Sequence, residues 1–369
     1  MAGWSEWQRA GGYPVRPMRK RLTAKLAVVT AAAMVAAGCS SSDGGSSGVP
    51  QIAVTTSIWA DVVSNVACGG SAEITTIMPP GADPHSYEPS LADRALLADA
   101  DLVVVNGFDL EESLLDTLDS LGDDKLIFYF SDHVAALEYE GAHNHGTDAD
   151  HDDDDDHSDD DHEDEGHDDH DEESHADDEH DEEGHDEHDG AEHAGLDPHF
   201  WLDPSRVAGT VHALSDTLIN EMGFDTQTVH ECEEAYEQQL RDADSRIEQT
   251  LAAVPAQRRQ IITNHDAFGY FADRYDFEIA GTVLEVPSGL AEASPQHLAE
   301  VSSVIEELGV SVIFAEYQDN SGEAEALASQ IDGVEVRYLH TATLGEEPDS
   351  DTYIEMLEHN AGVIADALG

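Results

Sequence analysis

The run Leu102-Val103-Val104-Val105-Asn106 restricts this chain more than any other stretch. Four apolar residues in succession, with no polar alternation, do not suit a sheet wetted on one side. They suit a parallel strand covered by helices on both faces. Leu126–Phe130 has the same character. Strand patterns at Ile52–Thr56 and Glu73–Met78 surround these runs, with helical periodicity at Ile58–Ala67, from the Ser90 cap to Asp99, and at Glu111–Leu121. Strands alternating with helices predict a parallel α/β lobe. The alternation resumes near the C-terminus: strands at Gln260–Thr263, Ile279–Leu284, Val312–Ala315 and Val334–Tyr338, helices at Ala267–Tyr275, Pro295–Leu308, Gly322–Ile331 and Thr352–Leu368. Between the two blocks lie helices at Pro204–Met222 and Asp225–Leu251. The second carries Val229, Cys232, Tyr236, Leu240, Ala243 and Ile247 at three- and four-residue spacing, and a helix of that length spans roughly 40 Å. The expected fold class is therefore α/β, with two parallel-sheet α/β lobes joined by one long rigid helix. The expected boundaries are 50–224 for the N-terminal lobe, 225–252 for the linker helix and 253–369 for the C-terminal lobe.

The stretch from Glu138 to Asp197 breaks this pattern. It holds twelve of the chain's 21 histidines and 31 of its 81 acidic residues, and no Lys or Arg. With almost nothing apolar to bury, it cannot offset the entropy of ordering. A disordered His/Asp/Glu-rich insertion over 138–196, within the first lobe, is the expectation. A plain solvated spacer has no need of a histidine every three to six residues. Imidazoles among carboxylates form many loose sites for divalent cations.

The N-terminus reads as a targeting segment. Arg19-Lys20-Arg21 precedes an apolar run from Leu26 to Ala37, and Gly38-Cys39 follows. This is the order of a secretory signal, and the run is too short to cross a bilayer as a mature helix. Ala36-Ala37-Gly38-Cys39 resembles a bacterial lipobox, with Ala36 where Leu is usual. Residues 1–39 are thus expected to be a signal peptide with lipobox, with Met18 as an alternative start. Cys39 would be the lipidated anchor to the extracytoplasmic face of the cell membrane, and the Ser- and Gly-rich 40–49 a flexible tether. Beyond Cys39 the chain has Cys68 and Cys232, which outside the cytoplasm are expected to pair; two buried free thiols are the alternative. The net charge is −66 and Lys125 is the single Lys beyond the leader. No basic surface exists to displace counterions from phosphates, which argues against a nucleic-acid partner.

Open α/β sheets bind ligands beyond the carboxyl ends of their strands. Three histidines fall at such positions. His85 lies in Pro84-His85-Ser86-Tyr87-Glu88-Pro89, after the second strand. His199 lies in Asp197-Pro198-His199-Phe200-Trp201-Leu202-Asp203-Pro204, between the acidic insertion and the next helix. His265 lies in Asn264-His265-Asp266-Ala267-Phe268-Gly269-Tyr270, directly after the first strand of the second lobe. A lone loop histidine is usually a surface residue, but three at equivalent strand exits suggest a shared site. Neutral imidazoles from two lobes suit Zn²⁺, whereas Mn²⁺ calls for more carboxylate oxygen.

These three motifs resemble those of the zinc/manganese solute-binding lipoproteins of ABC importers. Glu316 in Ile313-Phe314-Ala315-Glu316, the Tyr353…Met356…Asn360 helix and a His-rich acidic insertion at the same place also fit. The resemblance covers about Val49 to Gly369. It implies two α/β lobes bridged by a rigid helix with a metal between them, and His85, His199 and His265 as ligands. His at position 265 is the zinc-type choice. One departure stands out: the family commonly supplies an Asp in an Asp-x-Leu-Gly segment, and here the segment is Ala342-Thr343-Leu344-Gly345. The fourth position is left to water, to a group from the insertion or to His340.

The reading that follows is a monomeric, lipid-anchored protein, not an enzyme, that captures Zn²⁺ with high affinity and delivers it to an ABC-type permease. Two alternatives stay open. One is a secreted zinc hydrolase using the open position of a three-His site, with Glu316 as base, although no His-Glu-x-x-His helix is present. The other is a metal-buffering or adhesive surface lipoprotein whose functional part is the insertion.

Overall fold

Strand β1 (Gln51–Val54) is followed by α1 (Ser57–Val66), β2 (Glu73–Thr76), α2 (Leu91–Asp99), β3 (Leu102–Val105), α3 (Leu115–Asp119) and β4 (Ile127–Tyr129). The computed structural model describes residues 48–138, 195–284, 293–318 and 322–369. The expected signal peptide and lipobox, all but the last two residues of the expected tether and nearly all of the acidic insertion lie outside them. The four strands pair in parallel in the order β2-β1-β3-β4. Every residue of β3 is buried, as a doubly covered strand requires. The two-residue period of the strands divides them between two faces. Ile52, Val54, Leu102 and Val104 face Trp59 and Val62 of α1. Ala53, Val103 and Val105 join Leu97 of α2 on the other face.

Helices α4 (Pro204–Asn220) and α5 (Thr226–Leu251) follow. Asp225 caps α5 by accepting from the Thr228 amide at 2.9 Å, and the helix buries Val229, Glu233, Tyr236, Leu240, Ala243, Ile247 and Leu251 along one face. His212 of α4 and His230 of α5 are not bystanders: both hold the Glu233 carboxylate, at 2.6 and 2.8 Å, together with the Ser215 hydroxyl at 2.6 Å. Cys68 and Cys232 form a disulfide with Cα atoms 5.7 Å apart, which fastens the exit of α1 to α5.

The second sheet is built from β5 (Gln260–Thr263), α6 (Gly269–Tyr275), β6 (Glu278–Thr282), α7 (Pro295–Leu308), β7 (Val312–Glu316), α8 (Glu323–Ala328), β8 (Glu335–Leu339) and α9 (Tyr353–Leu368). It too is parallel, in the order β6-β5-β7-β8. One apolar core includes Ile52 and Leu102 of the first sheet, Ile261 and Phe314 of the second, and the inner faces of α4, α5 and α9. The two lobes are therefore packed on a common interior.

Two elements differ from the sequence expectation by more than two residues at an end. The helix expected over Glu111–Leu121 is a 3₁₀ turn at Glu112–Leu114 and the short α3. Phe108 and Asp109 are left-handed just before it, and the Glu111 side chain turns inward to bond backbone amides instead of starting a helix. The second is α8, which stops at Ala328 instead of Ile331. The insertion leaves and re-enters at one point, where Glu138 and Leu196 form an antiparallel bridge.

Candidate metal centre

Each sheet reverses its strand order beside its first strand, which opens a crevice at the carboxyl ends of β1 and β3 in one lobe and of β5 and β7 in the other. The His265 loop leaves β5, and Glu316 ends β7. The His85 loop follows β2, and His199 follows the insertion. Asp83 closes the His85 loop on itself, accepting from the His85 amide at 3.0 Å and the Ser86 hydroxyl at 2.7 Å.

The three expected histidines come together. His85 Nε2 lies 3.1 Å and His265 Nε2 3.3 Å from His199 Nε2, and one nitrogen from each ring lies within 4.8 Å of the other two. They are 9%, 1% and 7% exposed in chain order. Lone pairs brought this close repel one another unless a proton or a cation sits between them. A tetrahedral ion at about 2.0–2.1 Å from each nitrogen sets its ligands about 3.3 Å apart, so these separations suit one.

Carboxylates hold the far side of two rings. Asp197 Oδ1 accepts from His199 Nδ1 at 2.7 Å and from the His199 amide at 2.9 Å. Glu316 Oε1 contacts His265 Nδ1, and its other oxygen accepts from the Thr341 hydroxyl and the Gln318 amide. A proton held on Nδ1 leaves the Nε2 lone pair facing the centre. Burial, reinforced by neighbouring imidazole charge, holds His85 and His199 well below the ordinary histidine range. Burial pulls His265 the same way, but the Glu316 carboxylate, joined by the charges of Asp83 and Asp266, outweighs it, and His265 is raised. Burial lifts Asp197 to about 7, against the opposing pull of the His199 amide and of positive charge at His265 and Arg206.

Buried polar groups brace the His199 loop. Asn106 donates from Nδ2 to the Pro198 carbonyl at 3.1 Å and accepts from Trp59 Nε1 at 2.9 Å. Glu111, itself buried, takes the Thr55 hydroxyl at 2.7 Å and the Asn106 amide at 2.9 Å. Tyr270 donates to the Asp197 carbonyl at 2.8 Å. A Cβ at Gly269 would stand 2.6 Å from Asp197 Oδ2, so only glycine admits this approach. The Trp201 ring centroid is 5.2 Å from that of His199, and its Nε1 reaches across to the Thr341 carbonyl at 2.6 Å.

The positions considered for a fourth ligand contribute none among the described residues. Ala342 is buried and has no donor atom. His340 stacks on Tyr317, with centroids 4.2 Å apart, and faces His359 instead of the three-histidine group. The bracing roles of Asp197, Asn106 and Glu111 escape a reading of sequence alone. Asp197 carried a usable signal, a carboxylate two residues before a candidate ligand. Asn106 and Glu111 carried none, because their partners are remote in the chain.

A family model described as the zinc-uptake complex component A, periplasmic (ZnuA), matches residues 52–367. The zinc-binding protein TroA of Treponema pallidum (strain Nichols) is 27% identical over 338 residues, covering 89% of this chain and 92% of its own length. The manganese-binding lipoprotein MntA of Halalkalibacterium halodurans is 27% identical over 346 residues, covering 92% and 97% respectively. The solved structure of the periplasmic zinc-binding protein TroA from Treponema pallidum matches with a TM-score of 0.68 at 26% identity, over 87% of this chain and 100% of that one. On this family match, supported by near-full-length likeness in sequence and fold, the chain belongs to the ZnuA family, the metal-binding substrate-binding proteins of ABC importers.

Proposed function

We propose that the protein captures Zn²⁺ outside the membrane through His85, His199 and His265 and hands it to an ABC permease. The observation that carries this reading is the donor set. Three buried imidazole nitrogens converge, and no carboxylate of the described residues joins their group. All-nitrogen coordination suits zinc, whereas manganese is served better by oxygen. Capture replaces hydration waters with imidazoles and needs no covalent step. Lipid attachment at Cys39 would keep a monomer near its permease, and the insertion would serve as a loose collector. A cleft of about 460 Å³ beside Asp197, lined also by Glu138, Asp266, Asp273 and Glu278, adds negative charge where the insertion begins and draws cations inward.

A hydrolytic reading finds no support in the geometry. Glu316, its required base, faces Nδ1 of His265 and is tied by Thr341 and Gln318 on the side away from the centre. Competitive titration with Zn²⁺ and Mn²⁺ on the wild type, on His265→Ala and on a chain lacking 143–193 tests the proposal. One tight zinc site should survive loss of the insertion and vanish with His265→Ala. A preference for Mn²⁺, or loss of tight binding with the insertion, would overturn it.

A further inference from the structure

His340, considered as a ligand to the main centre, faces another histidine. Its ring centroid lies 5.5 Å from that of His359 on α9. The three pairs of the main centre lie at 5.2, 5.7 and 5.2 Å, so this fourth pair is spaced alike. His359 Nδ1 contacts Asp349 Oδ2 at 3.3 Å. Its Nε2 is buried and has no hydrogen-bond partner. Buried polar atoms are rarely left unpaired without a reason. A ring with Nδ1 against a carboxylate, an unpaired Nε2 and a second imidazole beside it resembles the arrangement of Asp197 and His199.

His340 is held in place for such a role. Asn360, the residue after His359, brackets its backbone: Oδ1 accepts from the His340 amide at 3.0 Å and Nδ2 donates to the His340 carbonyl at 2.6 Å. Tyr317 stacks on one face of the ring. Gly345 packs at its edge, where a Cβ would come within 2.9 Å of His340 Cε1. The Gly345 amide bonds the Ser350 carbonyl at 2.8 Å and closes the loop that presents Asp349. The His359 side chain is 22% exposed, with the exposure lying elsewhere than at Nε2, so the pair sits just beneath the surface.

We propose that His340 and His359, oriented by Asp349, form a second and weaker site for a divalent transition-metal ion. Two imidazoles without a thiolate suit Zn²⁺, Ni²⁺ and Cu²⁺, with Cu²⁺ bound most strongly, and water completes the coordination. An ion there would tie the exit of β8 to α9. The site shares no residue with the main centre and stands independently of what that centre carries.

Anomalous diffraction at the zinc edge, from crystals of the full chain soaked in Zn²⁺, tests this. The expected map has two peaks: one among His85, His199 and His265, and one at about 2.0–2.1 Å from His359 Nε2 and a ring nitrogen of His340. In His359→Gln the second peak should disappear while the first persists, which also reports an intact fold. A filled main centre with no density between His340 and His359, or a second peak that survives His359→Gln, would overturn the proposal.

Discussion

His199 is fixed from more directions than any other side chain of the centre. Asp197 holds its Nδ1 and its amide, Asn106 holds the preceding carbonyl, and Trp201 lies against its ring. Asp197→Asn should therefore weaken zinc binding about 10–100-fold, the usual effect of removing a ligand's outer partner. Competition against a chelator measures it, and an unchanged affinity would deny Asp197 an orienting role. The pH dependence turns on His265. Glu316 raises its pKa, so in the metal-free protein this ring keeps its proton to higher pH than an ordinary histidine. Zinc must displace that proton, so affinity should climb with pH until His265 is neutral, then level off. Glu316→Gln removes the raising charge and should move the plateau to lower pH. Affinity profiles between pH 5 and 8 would reveal the shift, and a plateau that stays in place would argue against the coupling. The three converging histidines were readable in the sequence, because Pro84, Pro198 and the strand ends frame them locally. The contacts that fix Glu316 were not, because Thr341 and Gln318 reach it only once β7 and β8 are side by side.

Among the elements, α5 packs against α1 and α4 of the first lobe and α9 of the second. Its apolar face was legible from three- and four-residue spacing, and the buried residues match it at Val229, Tyr236, Leu240, Ala243 and Ile247. The run at β3 was equally clear. The shortened α3 was not, since helical periodicity says nothing about a Glu111 drawn inward by distant Thr55. The disulfide joins α5 to the end of α1 across 164 residues of sequence. A closure that long restricts the unfolded chain substantially, so Cys232→Ser should lower stability by about 2–5 kcal/mol. Thermal unfolding of oxidised and variant protein would measure this. Because Cys68 and Cys232 lie outside the ligand loops, zinc affinity should be kept. Coincident loss of both would mean that α5 also sets the geometry of the centre.

At the scale of the whole molecule, the lobes are joined by more than apolar packing. The Leu344 amide bonds the Ser57 hydroxyl at 3.0 Å, the Tyr353 amide bonds Asp61 at 3.2 Å, and the Tyr353 hydroxyl bonds the Trp201 carbonyl at 2.5 Å. Wide hinge opening would break these contacts and split a shared core. Removing the metal should thus leave the overall dimensions nearly unchanged, with backbone movement near 1 Å as in preorganised binding sites. Solution scattering with and without zinc is the check, and a clear expansion of the metal-free protein would contradict it. Release then falls to local movement of the ligand loops. The pairing of Glu138 with Leu196 has a polymer consequence. With both flanks of the insertion pinned at one place, the scaffold fixes the distance between its ends, and for any flexible chain closed there each doubling of length would add only about 0.6 kcal/mol of closure entropy. The position will accept a longer, shorter or foreign sequence, even a whole reporter domain, with the scaffold beneath it left intact.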